Sequence, residues 1–415
     1  MSVKSTNKYL FIIFVVEPLI LNPFVFLQRD FLYLHLMTKI TSKLPHVGTT
    51  IFTVMSKMAN DYNAINLSQG FPNFPIAKEL SQKYQEILHQ NHHQYKPMPG
   101  APDLLEQVAL KVKHHYGRNV DAHDEVLITA GATQGIFTTI QALVNSGEEV
   151  IVLDPSYDCY APSVELCGAT PIHVNLNADF TVDWEKVEDH VSHSTRLLII
   201  NNPHNPGGAV FSERDMEALE TIMERYPHLL LLSDEVYEFI HFDAPHISIN
   251  SRPKIKDRAI IVSSFGKTFH VTGWKIGYTV APKPIMEEIK KVHQYVVFCV
   301  NSTAQATLAA YLPSVNLDEL AVFYQQKRDF FRSLLKESRF ELLNCKGSYF
   351  QVAKYSEISD KSDVDFAIEM TQKHGVAVIP ISGFNQDKHD DKLIRFCFAK
   401  NEETLIQAAE KLCKI

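Results

Sequence analysis

The sequence predicts an α/β protein, with a large domain built on a parallel sheet and a smaller α+β domain after it. Its 415 residues exceed the size at which a single hydrophobic core stops growing, so we expect two domains. From about residue 120, short β-branched runs alternate with helical stretches, which is typical of parallel strands covered by helices on both faces. Nearer the C-terminus this alternation gives way to a mixed pattern, which indicates the smaller domain.

The elements follow from local patterns. Apolar runs predict strands of the large sheet at 125–130, 149–153, 171–176, 196–200, 229–232 and 259–262. Helices are predicted at 133–144 and 212–225, and the second begins with Ser212 three residues before Asp215, like a capping box. Residues 283–336 are predicted to be mostly helical. The smaller domain is predicted to contain strands near 349–352, 376–380 and 393–398, and helices at 363–374 and 402–413.

The domain limits follow from this reading. We expect an N-terminal arm over 37–75 that joins the small domain, a large domain over 76–315 and a small domain over 316–415. Residues 1–36 form an apolar extension, in which Glu17-Pro18 interrupts a run too short to reach the roughly 20 residues of a membrane helix. No small-residue cleavage site follows. Three readings stay open: a segment upstream of a true start at Met37, a targeting segment, or a weak membrane anchor.

Composition excludes several classes of function. The formal net charge of −8 gives no basic patch of the kind that nucleic-acid binding requires. The six Cys form no C-x-x-C pair, so we expect reduced, mostly buried thiols in a cytoplasmic protein. No Cys/His cluster has metal-ligand spacing. The pairs His92-His93 and His114-His115 are interpreted as solvated surface groups, and we expect neither a metal nor a membrane partner.

The run SSFGKTFH at 263–270, followed by TGWKIGY at 272–278, carries the sharpest chemical signal. Lys267 directly follows a predicted buried strand, and its small neighbours allow a backbone to approach a ligand closely. Taken alone, Lys267 could be an ordinary surface lysine. Lys275 nearby suits an anion, and a desolvated lysine beside another cation becomes a nucleophile towards carbonyls.

This run resembles the pyridoxal-phosphate enzymes of the aspartate aminotransferase fold. It is most similar to the class I branch that contains the methionine, glutamine and kynurenine aminotransferases, and further motifs continue the resemblance from about Ile51 to the C-terminus. The resemblance implies fold type I, with a mostly parallel seven-stranded sheet in the large domain. It also implies pyridoxal 5'-phosphate as cofactor, with Lys267 forming a Schiff base with the cofactor's aldehyde.

The resemblance assigns roles around the cofactor ring. The ring accepts electrons only while its nitrogen is protonated, which calls for a buried carboxylate, and Asp234 follows a buried strand; alone it could cap a turn. Tyr237 is expected to donate its hydroxyl to the ring's phenolic oxygen. Asn205, in NNPHNPGG at 201–208, is implied to bind the same oxygen, although His204 stands where the family usually has Asn.

The phosphate and the ring face have their own motifs. TAGATQG at 129–135 joins a strand to a helix, and a helix N-terminus with small residues suits a phosphate, although such junctions are common. The resemblance implies that Ala132 and Thr133 bind phosphate through their backbone and that Ser264 and Lys275 add a hydroxyl and a charge. Tyr157, in DPSYDCY, is implied to lie flat on the ring; the alternative is a core aromatic.

Substrate binding is assigned to both ends of the chain. Arg395 alternates with apolar residues in IRFCF, where a guanidinium must be paired; it resembles the family's clamp for the α-carboxylate, with a structural salt bridge as the alternative. QGFPNFP resembles the family's QGFPDFP, and implies that Gly70 approaches the same carboxylate and Phe71 walls the side-chain pocket. Tyr95 matches a tyrosine that reaches the phosphate of the neighbouring subunit, which implies a homodimer with shared active sites.

The resemblance therefore implies an aminotransferase that moves the amino group of an L-amino acid to a 2-oxo acid. No second clamp arginine is identifiable, which argues against Asp or Glu as donors, and the aromatic surroundings favour methionine, with glutamine, aromatic amino acids and kynurenine as further donors. Two alternatives remain: a cysteine-S-conjugate β-lyase on the same scaffold, and a non-catalytic regulator. The regulator would need an amino-terminal helix-turn-helix, and residues 1–50 contain no basic recognition helix.

Overall fold

The computed structural model describes residues 40–415, of which 44–415 form one compact unit. The apolar extension over 1–36 and the alternative start at Met37 lie outside the described residues. In the described part of the chain, no helix is both long and apolar enough to cross a bilayer. This unit has no internal boundary with which the predicted domain limits could be compared, so those limits, including the one near 315, stay a prediction.

Thirteen strands lie in the described chain. They are β1 Ile65–Asn66, β2 Val126–Thr129, β3 Glu149–Asp154, β4 Thr170–Asn175, β5 Thr195–Asn201, β6 Leu230–Asp234, β7 Ala259–Ser264, β8 Gly277–Val280, β9 Glu341–Leu342, β10 Phe350–Lys354, β11 Val376–Ala377, β12 Ile379–Pro380 and β13 Leu393–Cys397.

The α-helices of residues 40–415 are α1 Ile51–Asp61, α2 Lys78–Leu88, α3 Pro102–Tyr116, α4 Ala132–Leu143, α5 Tyr160–Leu166, α6 Trp184–Asp189, α7 Glu213–Arg225, α8 Phe265–Thr268, α9 Lys283–Val296, α10 Ser302–Tyr311, α11 Glu319–Leu334, α12 Asp363–Gln372 and α13 Glu402–Leu412.

The large sheet has seven strands in the order β2-β8-β7-β6-β5-β3-β4. Its strands run parallel except β8, which is antiparallel to both β2 and β7. The six strands predicted from apolar runs are confirmed to within two residues at each end. The predicted fold class is confirmed, including the seven-stranded, mostly parallel sheet. The seventh strand, β8, was not among the predicted strands, because it is short and begins inside the TGWKIGY motif.

Alternation along each strand explains why both faces of this sheet are covered. Leu197 and Ile199 of β5 belong to the core that contains Ile140 of α4, whereas Leu198 and Ile200 belong to the core that contains Leu219 of α7. Successive strand side chains point to opposite faces, so one apolar strand supplies both cores. The predicted capping box of α7 is confirmed, since Ser212 and Asp215 bond reciprocally through side chain and backbone.

The C-terminal elements form a second sheet, antiparallel, in the order β12-β13-β10-β9. Its core contains aromatic residues of α11, α12 and β13, such as Tyr324, Phe366 and Phe396. The segment after α1 joins this region, because β1 pairs with β11 in parallel and Met55 of α1 lies in the same core. The carboxyl ends of strands in the large sheet line a cavity together with Phe350 of β10 and Arg395 of β13.

Candidate active site

A cavity of about 430 Å³ lies where the parallel strands of the large sheet end. Parallel α/β sheets bind ligands at that edge, because the loops leaving the strands converge there. Nearly every predicted site residue lines it; these are Gly70, Phe71, Ala132, Thr133, Tyr157, Asn205, Asp234, Tyr237, Ser264, Lys267, Lys275 and Arg395. Tyr95 is the exception. The fold thus brings together motifs that are far apart in the sequence.

Lys267 stands on the short helix α8, immediately after β7. Its Nζ lies 3.0 Å from the Tyr349 hydroxyl and 3.3 Å from the Gly70 carbonyl oxygen. Burial lowers the pKa of Lys267 to about 8, and the charges of Arg395 and Lys275 act in the same direction. The sequence argument named desolvation and a neighbouring cation, and burial is the larger of these two causes. About a tenth of this amine is therefore neutral and nucleophilic at pH 7, far more than for an ordinary lysine.

Asp234 is the last residue of β6 and is 4% exposed. Its Oδ2 accepts a hydrogen bond from the Tyr160 hydroxyl (2.6 Å), and its Oδ1 one from the Val236 N–H (3.3 Å). Burial raises the pKa of Asp234 to about 6, because these two bonds and the charge of Lys267 offset the desolvation only in part. Within residues 40–415 it forms no ion pair, so a cationic group in the cavity would complete its surroundings.

The loop before α4 has the features of a phosphate cradle. Gly131 precedes the helix with φ of 79° and no side-chain cap, so Ala132 and Thr133 present the first helical N–H groups without intrahelical partners. Lys275 Nζ lies 3.4 Å from the position that a Cβ on Gly131 would occupy, and Ser264 ends the adjacent strand β7. Free N–H groups, a hydroxyl and an ammonium around one helix N-terminus fit a phosphate group.

Arg395 occupies the middle of β13 and is 1% exposed. Its Nη1 donates to Asn205 Oδ1 (2.6 Å), its Nη2 donates to the Ser68 carbonyl (3.1 Å), and its guanidinium carbon lies 3.7 Å from the centre of the Phe350 ring. Burial lowers the pKa of Arg395 to about 10. The alternative of a structural salt bridge is wrong for the described residues, where Arg395 has no carboxylate partner and its Nε has no hydrogen-bond acceptor. A bound carboxylate fits this unpaired, buried guanidinium.

Gly70 and Phe71 cross the cavity beside Arg395 and Lys267. A Cβ on Gly70 would lie 2.6 Å from Phe350 Cζ, so glycine is needed for this close approach. Phe71 is 43% exposed at the rim, and its carbonyl accepts a hydrogen bond from the buried Lys400 (2.8 Å). The hydrogen bond from Lys400 therefore fixes the backbone of this loop, while the Phe71 ring stays accessible to solvent.

His204 departs from the family pattern without displacing Asn205. The Gly207 N–H donates to His204 Nδ1 (3.2 Å), so His204 Nε2–H donates to the Pro155 carbonyl (2.9 Å) and the ring is neutral. Burial lowers the pKa of His204 to about 4. Asn205 itself is anchored by its N–H, which donates to Asn201 Oδ1 (2.8 Å). The imidazole thus joins the Asn205 loop to the loop that carries Tyr157.

Four neighbours of the predicted residues were missed by sequence reasoning. Tyr349, Phe350, Asn201 and Tyr160 contact Lys267, Arg395, Asn205 and Asp234 respectively. Tyr160 stands inside the quoted motif DPSYDCY and could have been noticed there. Tyr349 and Phe350 carried no signal beyond that of a strand, because their contacts are with residues far away in the sequence.

Several predictions fall outside the cavity. Tyr95 is 80% exposed, packs edge-to-face on Phe298, and does not line the cavity of its own chain, so its reach to a neighbouring subunit stays a prediction.

The interpretation of His115 as solvated is wrong, because its ring packs edge-to-face on Phe239 and is mostly buried. Of the cysteines, Cys345 and Cys397 are buried, three others are half-buried and Cys413 is exposed. Over residues 40–415, no group of three or more His, Cys, Asp or Glu could hold a metal ion.

Comparison with known proteins gives one consistent family. A family model described as aminotransferase class I and II matches residues 62–412. A methionine aminotransferase of Escherichia coli is 47% identical over 89% of this chain and 97% of its own length. A kynurenine–oxoglutarate transaminase of Dictyostelium discoideum is 31% identical over 89% of this chain and 94% of its own.

The structural comparison agrees. A crystal structure from Escherichia coli, described as identifying a methionine aminotransferase function, superposes with a TM-score of 0.89 at 46% identity, over 91% of this chain and all of that chain.

Proposed function

We propose, from the premise that the chain belongs to the class I and II aminotransferases, that it uses L-methionine as its preferred amino donor and pyridoxal 5'-phosphate as its cofactor. The chain is an aminotransferase, which passes an amino group from an amino acid to a 2-oxo acid. The observation that carries the proposal is the convergence of Lys267, Asp234 and Arg395 on one cavity, each buried or half-buried and without an ion-pair partner among the described residues.

The cavity residues fit this cofactor group by group. The unpaired carboxylate of Asp234 suits the ring nitrogen, and the free N–H groups at the start of α4 suit the phosphate. The residues that would hold it are Ala132, Thr133, Tyr157, Asn205, Asp234, Tyr237, Ser264, Lys267 and Lys275. When bound, the cofactor supplies an electron sink for the charge that develops on the substrate's Cα. Asp234 contributes by keeping the ring nitrogen protonated.

Arg395 binds and orients the donor. Its side chain is fixed by Asn205, Ser68 and the Phe350 ring, so the guanidinium loses little conformational freedom when a carboxylate arrives. The α-carboxylate of the amino acid supplies the missing anion and accepts from the unpaired Nε. Held at this end, the substrate presents its amino group and Cα–H towards Lys267.

Lys267 acts as nucleophile and as general base. With its pKa lowered to about 8 by burial, the amine is available in its neutral form near neutral pH. Lys267 would hold the cofactor through its aldehyde group. With its amine free, Lys267 Nζ would act as the base that takes and moves the proton of the substrate's Cα.

The proposal of methionine rests on the walls of the cavity and on the relatives. Among the lining residues the structure describes, Arg395 is the one arginine, so no second guanidinium is present for an acidic side chain. Phe52, Phe71 and Ile136 line the same cavity and suit an apolar chain such as a thioether. The Escherichia coli relative is named for methionine, and the Dictyostelium relative for kynurenine, so we propose glutamine, aromatic amino acids and kynurenine as slower donors.

The assembly and the location are part of the proposal. We propose a homodimer in the cytoplasm, in which Tyr95 of one protomer completes the phosphate site of the other. What supports the dimer is that Tyr95 and Phe298 form an exposed aromatic pair, which no other part of residues 40–415 covers. No observation favours the β-lyase alternative.

The test is a panel of amino donors assayed against one 2-oxo acid, with the holoenzyme and a fixed cofactor concentration. We expect kcat/KM for methionine to exceed that for glutamate and aspartate by at least about a hundredfold, because a buried carboxylate without a partner is costly. Glutamine, phenylalanine and kynurenine should fall between. Equal or better use of aspartate would contradict the donor assignment, and pyruvate release from a cysteine S-conjugate without acceptor would support the lyase instead.

A further inference from the structure

The amine of Lys267 rests on two oxygen atoms that sequence reasoning did not connect with it. Nζ lies 3.0 Å from the hydroxyl oxygen of Tyr349 and 3.3 Å from the carbonyl oxygen of Gly70. The Tyr349 hydroxyl lies 2.6 Å from the same Gly70 oxygen. Three polar atoms thus form a closed triangle at one end of the cavity.

Counting hydrogens decides who donates in this triangle. The Gly70 oxygen can only accept, and 2.6 Å is the separation expected of an O–H···O bond, so the Tyr349 hydroxyl donates its single hydrogen there. The Tyr349 oxygen then meets Lys267 as an acceptor. Both contacts of a neutral Lys267 amine therefore use its N–H groups, and the nitrogen lone pair remains free.

Tyr349 is well placed to hold an amine still. Tyr349 is 0% exposed. The centre of its ring lies 5.1 Å from the ring centre of Tyr237, 5.7 Å from that of Tyr324 and 4.9 Å from that of Phe350. These three rings hold the Tyr349 hydroxyl in place, and the Gly70 backbone lies so close to the Phe350 ring that an added Cβ would be 2.6 Å from Phe350 Cζ. Tyr349 and Gly70, which are far apart in the sequence, thus form a rigid hydrogen-bonding site for the amine of Lys267.

We propose that Tyr349 is a positioning residue that holds the released amine of Lys267 by an N–H while leaving its lone pair free to take the Cα proton. The inference rests on the proposed function, because transamination requires a free Lys267 amine that moves the proton of the substrate's Cα. Without these hydrogen bonds to Tyr349 and Gly70, a neutral amine on a flexible four-carbon chain would sample many orientations, and few of them would point the lone pair at Cα.

The inference is tested with Tyr349→Phe, which removes one oxygen and keeps the ring, against Tyr324→Phe as the matched control. The Tyr324 hydroxyl is buried next to Tyr349 and has no hydrogen-bond partner in the described residues, so its loss changes packing alike but leaves Lys267 untouched. Thermal unfolding of both variants, cofactor-free, checks that the fold is kept.

The first readout needs no activity. In the cofactor-free protein, the pH profile of Lys267 carbamylation by cyanate, followed by peptide mass spectrometry, reports the titration of the amine. The Tyr349 oxygen favours the ammonium form, so Tyr349→Phe should move the midpoint down by about half a pH unit or more, while Tyr324→Phe leaves it unchanged. An unmoved midpoint in Tyr349→Phe would overturn the proposed contact, whatever the enzyme's substrate proves to be.

The second readout is the half-reaction of the holoenzyme with methionine and α-deuterated methionine. Tyr349→Phe should slow it about tenfold and raise the isotope effect, because a misplaced base slows proton transfer selectively. Wild-type rates and isotope effects in this variant would contradict the positioning role. Failure of the wild type itself to react with methionine would instead count against the proposed donor, so the two failures are distinguishable.

Discussion

Two buried carboxylates four residues apart, Asp234 and Glu238, lie in opposite electrostatic surroundings. Asp234 faces the cavity, where burial raises its pKa to about 6. Burial alone would also raise the pKa of Glu238, but the charge of Lys111 and hydrogen bonds from Lys111, Ser263 and Tyr116 outweigh it and lower that pKa to about 2. Both oxygens of Glu238 lie 2.8 Å from Lys111 Nζ.

The difference separates a complete region from an incomplete one. The lysine–glutamate network consists of Lys111, Tyr116, Glu238, Ser263 and Tyr278, and in it both charged groups, Lys111 and Glu238, are paired with each other. In the cavity, Asp234, Lys267 and Arg395 are buried or half-buried and form no ion pair within residues 40–415, which costs stability. A fold tolerates that cost where a ligand is to complete the set, so the unpaired charges mark the functional region.

The strongest test of this comparison removes the cavity's amine. Lys267→Ala should abolish the absorbance of the lysine-bound cofactor and lower kcat with methionine at least about a thousandfold, because nucleophile and base are lost together. Absorbance spectra and steady-state kinetics measure both. Lys291→Ala, at an exposed lysine, is the control and should behave as the wild type. Retained turnover in Lys267→Ala would remove the basis of the mechanism.

Removing the unpaired guanidinium should be the next largest effect. Arg395→Gln should lower kcat/KM for methionine by about a hundredfold to a thousandfold, mainly through KM, since a charge-assisted bidentate bond to the α-carboxylate is lost. The same substitution at the exposed Arg225 should change neither constant. An unchanged KM in Arg395→Gln would show that the carboxylate binds elsewhere.

In the complete region the same logic predicts loss of stability. Glu238→Gln leaves Lys111 buried without its charge partner and should lower the free energy of unfolding by about 3 kcal/mol, measured by urea denaturation. Glu188→Gln breaks an exposed ion pair with Arg225 and should cost at most about 1 kcal/mol. If the two variants unfold alike, the network does not have the assigned role.

The smallest expected effect is on stability, which should depend on pH in opposite ways for Asp234 and Glu238. A raised pKa means that the folded, cofactor-free protein holds the Asp234 proton more tightly, so stability from this group is present at low pH and is lost as pH rises from about 4 to about 6. Asp234→Asn should therefore be about 2 kcal/mol more stable than the wild type at pH 7, with the gain vanishing near pH 4. Glu238 acts oppositely: its stability is present above its unfolded pKa and is lost as pH falls towards about 2.

The measurement is cofactor-free unfolding at several pH values, with the exposed Asp391→Asn as control. Asp234→Asn should also bind the cofactor more weakly, because the ring nitrogen loses its anionic partner. A variant less stable than the wild type at pH 7 would contradict the description of Asp234 as an uncompensated charge.

The alternation of the sequence predicted six strands of the large sheet but not the antiparallel strand β8 among them. The runs at 149–153 and 196–200 are long and apolar because both faces are buried, and that pattern is visible residue by residue. Gly277–Val280 is a four-residue strand whose burial depends on β2 and β7 flanking it. A run of four residues is too short to predict an antiparallel strand between β2 and β7.

By itself, the sequence predicted nearly all of the residues that line the cavity, because each motif is contiguous and its members stay together in the fold. Lys267 with Ser264, or Ala132 with Thr133, keep their relation in any fold that forms the local turn. Only the tertiary structure decided how these groups are paired. Tyr349 meets Gly70 across 279 residues, and Arg395 meets Asn205 across 190. Such contacts depend on how the sheets pack, and it is that packing, through desolvation, which sets the pKa values of Lys267 and Asp234.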